Sequence, residues 1–133
     1  MNTLIVEDEV TSRAILREFL KRYGVPHIAI NGKEAVDAVG AALQAGEPFD
    51  LICLDIMMPE MDGQEALKRI RQLEFEAGVD AEKRAKVIMT TALADRGNVV
   101  EAIQGQCDYF LVKPIDRLAL LEELRRMQLI PKG

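Results

Sequence analysis

The chain has no tryptophan, a single histidine, His27, and two cysteines, Cys53 and Cys107. The two thiols have neither metal-binding nor redox spacing. Cys53 lies in the apolar run 51–54 and reads as a reduced core residue. Long uncharged stretches are also missing. The longest, residues 23–32, is broken by Gly24 and Pro26 and is too short for a membrane span. The opening Met-Asn-Thr-Leu lacks the basic n-region of a signal peptide. No membrane association and a cytoplasmic location are therefore expected. Positive charge is not in excess: 17 Lys and Arg face 22 Asp and Glu, a net charge of −5. That balance gives no electrostatic reason to approach nucleic acid. The basic groups at residues 68–71 and at Arg125-Arg126 read as solvated helix faces.

What is present is globular composition: 133 residues, 49% apolar and 29% charged. A chain of this length buries roughly two-thirds of its unfolded surface, enough for a core without disulfides or structural metal. One domain over residues 1–133 is expected, with no room for a second after Met127.

Short apolar runs alternate with amphipathic stretches. Leu4-Ile5-Val6 reads as a strand buried on both faces. Ile15, Leu16, Phe19, Leu20 and Tyr23 then recur at helical spacing up to Gly24. Residues 25–30 read as a second strand, placed near an edge by Pro26. Asn31 caps a helix with the stripe Ala35, Val36, Val39, Ala42 and Leu43. Residues 51–54 form the third strand, and Ala66, Leu67, Ile70 and Leu73 the next helical stripe. Residues 74–86 read as the end of that helix and a long exposed connection. Val87-Ile88-Met89 is the fourth strand, followed by a helix with Val99, Val100 and Ile103 facing inward and ending at Gly105. Residues 109–112 are the fifth strand, and Asp116 caps a helix carrying Leu120, Leu121, Leu124 and Met127. Five β-α units in series imply an α/β fold with a parallel sheet covered on both faces.

In such a sheet, sites form beyond the carboxyl ends of the strands. Those ends carry Glu7, Asp8 and Glu9, then Asp55, then Thr90 and Thr91, then Lys113-Pro114. Like charges 4 Å apart repel by about 4 kcal/mol at an effective dielectric near 20, so Glu7, Asp8 and Asp55 together need protons or a cation. An all-oxygen set favours Mg²⁺, with Mn²⁺ an acceptable substitute. Lys113 can hold a phosphoryl oxygen and the Thr91 hydroxyl can donate to another. These groups describe phosphoryl transfer to the Asp55 carboxylate.

Taken in order, Glu7-Asp8, Asp55 followed after Ile56 by Met-Met-Pro-Glu-Met-Asp-Gly, Thr91-Ala92 and Lys113-Pro114 resemble the response-regulator receiver domains of two-component signalling. The resemblance covers essentially the whole chain. It implies a flavodoxin-like, doubly wound (βα)5 fold with strand order 2-1-3-4-5. It makes Asp55 the phosphoacceptor, Asp8 a direct Mg²⁺ ligand, Glu7 an acid acting through metal-bound water, and the Met57 backbone carbonyl a further ligand. Pro59, Asp62 and Gly63 would shape the turn that aims this carbonyl. Lys113 would pair with the phosphoryl group, through a cis bond to Pro114. Thr91 and Phe110 resemble a switch pair of hydroxyl and ring, although an aromatic in a fifth strand also reads simply as core. The implied partners are a sensor histidine kinase or phosphotransfer protein, and a downstream protein at the surface of the fourth helix, fifth strand and fifth helix. The chain itself would be a monomer or a phosphorylation-dependent homodimer with no output domain, a signalling switch rather than a turnover enzyme.

Glu9 reads as an exposed residue favouring a helix N-terminus, Asp62 and Asp95 as caps, and His27 as a surface strand residue. A phosphatase of the haloacid-dehalogenase type needs a second acid two residues after its nucleophile, where Met57 stands. A flavodoxin-like FMN carrier needs a Ser/Thr-rich cradle where Glu7, Asp8 and Glu9 stand. Met57 and Leu93 would flank the phosphoryl group with apolar side chains that orient no water, which predicts a long-lived phosphorylated form.

Overall fold

The computed structural model describes residues 1–58, 61–92 and 96–132. Among them strands and helices alternate: β1 (Thr3–Val6), α1 (Val10–Leu20), β2 (His27–Ala29), α2 (Gly32–Gln44), β3 (Leu51–Asp55), α3 (Gly63–Glu76), β4 (Lys86–Thr91), α4 (Arg96–Gln104), β5 (Tyr109–Val112) and α5 (Arg117–Arg126). Every pairing is parallel and the order is β2-β1-β3-β4-β5, as the resemblance implies. Chain order reverses between β1 and β3, which opens a crevice beyond their carboxyl ends. No helix of the described residues is long and apolar enough to cross a membrane.

Strand alternation divides the core in two. Leu4, Val6, Ile52, Leu54, Val87 and Met89 pack with Val36, Val39, Leu67, Ile70 and Ala102 of α2, α3 and α4. Ile5, Cys53 and Ile88 pack with Leu16, Leu20, Leu120 and Leu124 of α1 and α5. The caps follow the local sequence. Glu9 is the N-cap of α1 and accepts from the Ser12 N–H. Asn31 accepts from the Glu34 N–H at 2.8 Å, and the Glu34 carboxylate accepts from the Ile30 N–H at 2.9 Å. Asp116 caps α5 by accepting from the Ala119 N–H.

Three expectations are corrected. The second strand covers only His27–Ala29 of the expected 25–30. Val25 is 82% exposed, and Pro26 has no N–H to give to β1. In α4 the inward residue is Ala102, fully buried, while Val100 and Ile103 are 43% and 65% exposed and Val99 is half-buried. The cause is close approach: a Cβ on Gly105 would lie 2.9 Å from Leu67 Cδ2. The helix thus rests on α3 through its small residues, and its branched ones turn outward.

The third correction concerns Arg71 and Glu74, expected on a solvated face and in an exposed connection. Both are buried. A guanidinium has five N–H donors, and here each has an acceptor. Nε and Nη2 both donate to the Gln106 carbonyl, at 3.1 and 2.9 Å. Nη1 donates to Glu74 Oε1 and the Ala85 carbonyl, each at 2.8 Å, and Nη2 also to Asp108 Oδ2 at 3.0 Å. Glu74 Oε2 and Asp108 Oδ2 accept in turn from the Ala85 and Val87 N–H groups. One side chain thus fixes the end of α3 to the amino ends of β4 and β5. Removing it leaves the Glu74 carboxylate buried and uncompensated. Arg71→Ala is expected to lose roughly 3–5 kcal/mol in denaturant unfolding, whereas the neighbouring Arg69→Ala stays within about 0.5 kcal/mol of the parent.

Candidate functional site

The crevice between β1 and β3 gathers the strand-end residues singled out above. Glu7, directly after β1, is fully buried, and Asp55, the last residue of β3, is 3% exposed; Asp8 is exposed. One carboxylate oxygen from each of the three lies within 4.8 Å of the others. Lys113, directly after β5, reaches across β4. Its Nζ is 2.5 Å from Glu7 Oε1 and 3.4 Å from Asp55 Oδ2. Glu7 Oε2 also accepts from the Glu9 N–H at 3.2 Å.

Backbone contacts hold this rim in place. The Ile56 N–H donates to the Thr90 carbonyl at 3.0 Å, and the Lys113 N–H to the Thr91 carbonyl at 2.7 Å. The Met57 N–H bends back to Asp55 Oδ1 at 3.3 Å, while the Met57 side chain is 57% exposed. Gly63, the first residue of α3, approaches the strand so closely that a Cβ there would lie 2.2 Å from the Asp55 carbonyl oxygen. Its N–H donates to the Ile56 carbonyl at 2.9 Å. Asp62 caps α3 by accepting from the Glu65 N–H. The turn that Gly63 and Asp62 were expected to shape is thus sterically closed to any side chain at position 63. Pro59 of the same turn lies outside the described residues, as do Leu93 and Asp95.

The remaining site residues follow the strand order. Thr91 is fully buried at the end of β4, paired in register with Val112. Phe110 is half-buried and packs on the core side shared by α2, α3 and α4. The Lys113–Pro114 peptide bond is cis, as the resemblance implies. His27 is exposed, its ring edge-on to Phe49. Sequence reasoning missed Arg13, whose Nη1 donates to the Glu7 carbonyl at 3.2 Å. It also missed Gln64, buried beside Gly63. Position 64 lies next to Gly63, Ala66 and Leu67 on the helix, so helical spacing alone would have placed it near the buried face.

Three acids against one contacting lysine leave the cluster short of positive charge. Burial, then the hydrogen bond and charge of Glu7, push the Asp55 carboxyl up to about 7, with Lys113 pulling the other way. Burial opposes the charge on Lys113, yet its hydrogen bond to Glu7 and the attraction of Asp55 and Glu7 outweigh it and raise its pKa. A cluster of three carboxylates, with no thiol or imidazole among its donors, has the chemistry that a hard divalent cation such as Mg²⁺ takes.

The proton on Asp55 has a measurable consequence. An unfolded Asp ionises near 3.9, so between about pH 4 and pH 7 the folded, metal-free protein holds a proton that the unfolded chain has released. Its stability therefore falls as pH rises through that window and levels off above it. Asp55→Asn in chelator is expected to flatten this slope and to raise the unfolding midpoint at pH 8 by roughly 3–10 °C. A slope unchanged by the substitution would assign the effect to other groups.

Known proteins with this arrangement are numerous. The chain is 34% identical over 125 residues to the chemotaxis protein CheY of Bacillus subtilis (strain 168), covering 92% of this chain and 93% of that protein. It is 33% identical over 132 residues to probable histidine kinase 2 of rice (Oryza sativa subsp. indica), covering 92% of this chain but only 12% of the kinase's length. It is also similar to the crystal structure of the receiver domain of the histidine kinase CKI1 from Arabidopsis thaliana complexed with Mg²⁺ and BeF₃⁻. That likeness has a TM-score of 0.81 and 33% identity, over 97% of this chain and 90% of that one. The model of the response regulator receiver domain matches residues 3–125. With nearly its whole length accounted for in this way, the chain belongs to the response regulator receiver domain family.

Proposed function

We propose that residues 1–133 act as one receiver domain that accepts a phosphoryl group on Asp55 from a histidine kinase or phosphotransfer protein. The single observation that carries this reading is the sharing of Lys113 Nζ between Glu7 and Asp55 beside the exposed carboxylate of Asp8. The CKI1 receiver domain, complexed with Mg²⁺ and BeF₃⁻, supports it by likeness.

Glu7, Asp8, Asp55 and the Met57 carbonyl would hold Mg²⁺, with Glu7 acting through a bound water. The ion supplies neutralisation of the phosphoryl oxygens. An Asp55 carboxylate oxygen attacks phosphorus, and the bond from phosphorus to the donor's nitrogen or oxygen breaks. Lys113 Nζ moves from the carboxylates to a phosphoryl oxygen, and the Thr91 hydroxyl donates to another. Drawing Thr91 toward the phosphoryl group frees space for Phe110 to turn inward and biases the surface of α4, β5 and α5 between two arrangements. That surface takes a downstream protein partner. The reaction changes the chain itself rather than turning over a metabolite, and the domain works in the cytoplasm as a monomer or a phosphorylation-dependent dimer.

Acetyl phosphate with Mg²⁺ tests the chemistry directly. Intact mass should show one phosphoryl adduct, stable in acid and labile in base, on the parent and none on Asp55→Asn. An adduct on both would move the acceptor elsewhere. No adduct on a folded, Mg²⁺-binding parent would leave only a docking role. The apolar Met57 and Leu93 side chains predict slow loss of the phosphoryl group, so Met57→Asn combined with Leu93→Glu should shorten its lifetime. Equal lifetimes would remove these two positions from the account.

A further inference from the structure

Gln64 is a buried polar residue of α3 that the phosphoryl chemistry does not use. It follows Gly63, whose backbone is wedged against the Asp55 carbonyl and whose N–H is bonded to Ile56. Its own position is thereby fixed relative to the acceptor strand. The side chain is 3% exposed and leaves α3 to meet α4, where Nε2 donates to the Asn98 carbonyl at 2.9 Å. The other end of the amide, Oε1, is buried and has no donor among the described residues.

The helix it touches buries few side chains among the described residues. Among its described side chains Ala102 is the one fully buried, Val100 and Ile103 are exposed, and the Lys68–Glu101 ion pair, at 3.8 Å, is exposed. An exposed pair of that kind contributes little. The Gln64 amide is therefore a buried polar tie between the start of α3 and the first turn of α4, and only one of its two polar atoms is bonded. A buried amide oxygen gains most from any rearrangement that brings it a donor. The first turn of a helix presents backbone N–H groups that have no acceptor inside the helix.

We infer that Gln64 is a switch-positioning residue: its unused Oε1 is completed by an N–H of the α4 first turn when that turn shifts toward a phosphorylated Asp55, so that Gln64 favours the phosphorylated arrangement. The inference rests on the phosphoacceptor reading and deepens it. The hydrogen bond of Gln64 goes to α4 and not to Glu7, Asp8 or Asp55, so its effect passes through α4.

Beryllofluoride with Mg²⁺ serves as the probe, since it occupies a phosphoryl position without a covalent step. Gln64→Met keeps length and removes both amide functions; Gln64→Glu keeps the acceptor and removes the Nε2 donor. Gln64→Met is expected to weaken beryllofluoride affinity about 5- to 10-fold while leaving Mg²⁺ affinity and the thermal midpoint of the free protein near the parent values. Gln64→Glu should retain more of the affinity than Gln64→Met. The backbone amide signals of residues 96–99 should shift less on beryllofluoride addition in Gln64→Met than in the parent. Unchanged affinity in a folded Gln64→Met, or tighter binding, overturns the inference, the latter by showing that Gln64 restrains α4 instead. A parent that binds Mg²⁺ but no beryllofluoride would instead strike at the phosphoacceptor reading, which separates the two failures.

Discussion

Everything at the functional rim depends on three carboxylates being kept together against their mutual repulsion. The parallel sheet forces this closeness, because β1 and β3 are neighbours and both end at the same edge. Lys113 relieves part of the strain by bridging Glu7 and Asp55, and below about pH 7 a proton on Asp55 relieves more. The site is thus built around a shortage of positive charge. A cation or a rearranged lysine is what the shortage calls for, and a phosphoryl group changes the balance again by bringing further negative charge to the place where Lys113 already points.

The backbone converts that local imbalance into something a distant surface can register. Gly63 presses on the Asp55 carbonyl, Lys113 N–H is tied to Thr91, and Ile56 N–H to Thr90. These are short connections between rigid strand ends. By contrast, α4 meets α3 through small residues and carries Val100 and Ile103 outward. Short ties at the rim beside a helix seated on small residues form a physical arrangement in which a small electrostatic change can shift that helix.

The fold was legible because its signals are redundant: apolar runs, helical stripes and caps at Asn31, Asp62 and Asp116 all agree, and the strand ends line up the acids and the lysine. The site geometry was legible for the same reason, since a parallel sheet fixes where strand ends go. What the pattern missed depends on neighbours that periodicity does not contain. Val100 and Ile103 read as inward because they are apolar, but Gly105 and Ala102 allow α3 to come so close that larger side chains have no room. Arg71 and Glu74 read as solvent-facing because they are charged. Their spacing from Leu67 and Ile70 continues the buried stripe, and that geometric signal was outweighed by their polarity. Gln64 was overlooked in the same way.

The saturation of Arg71 limits how this chain can change over evolutionary time. Its acceptors come from α3, from the residues before β4 and from those before β5, three places far apart in sequence. Lysine would bring three donors instead of five and no planar fork, so even the nearest chemical substitute abandons some of them. Glu74 and Asp108 are bound by the same restriction, because each also accepts a backbone N–H. A change at one of these positions therefore leaves donors or acceptors of the others unmet, so the rim opposite the phosphoacceptor can be redesigned only as a set.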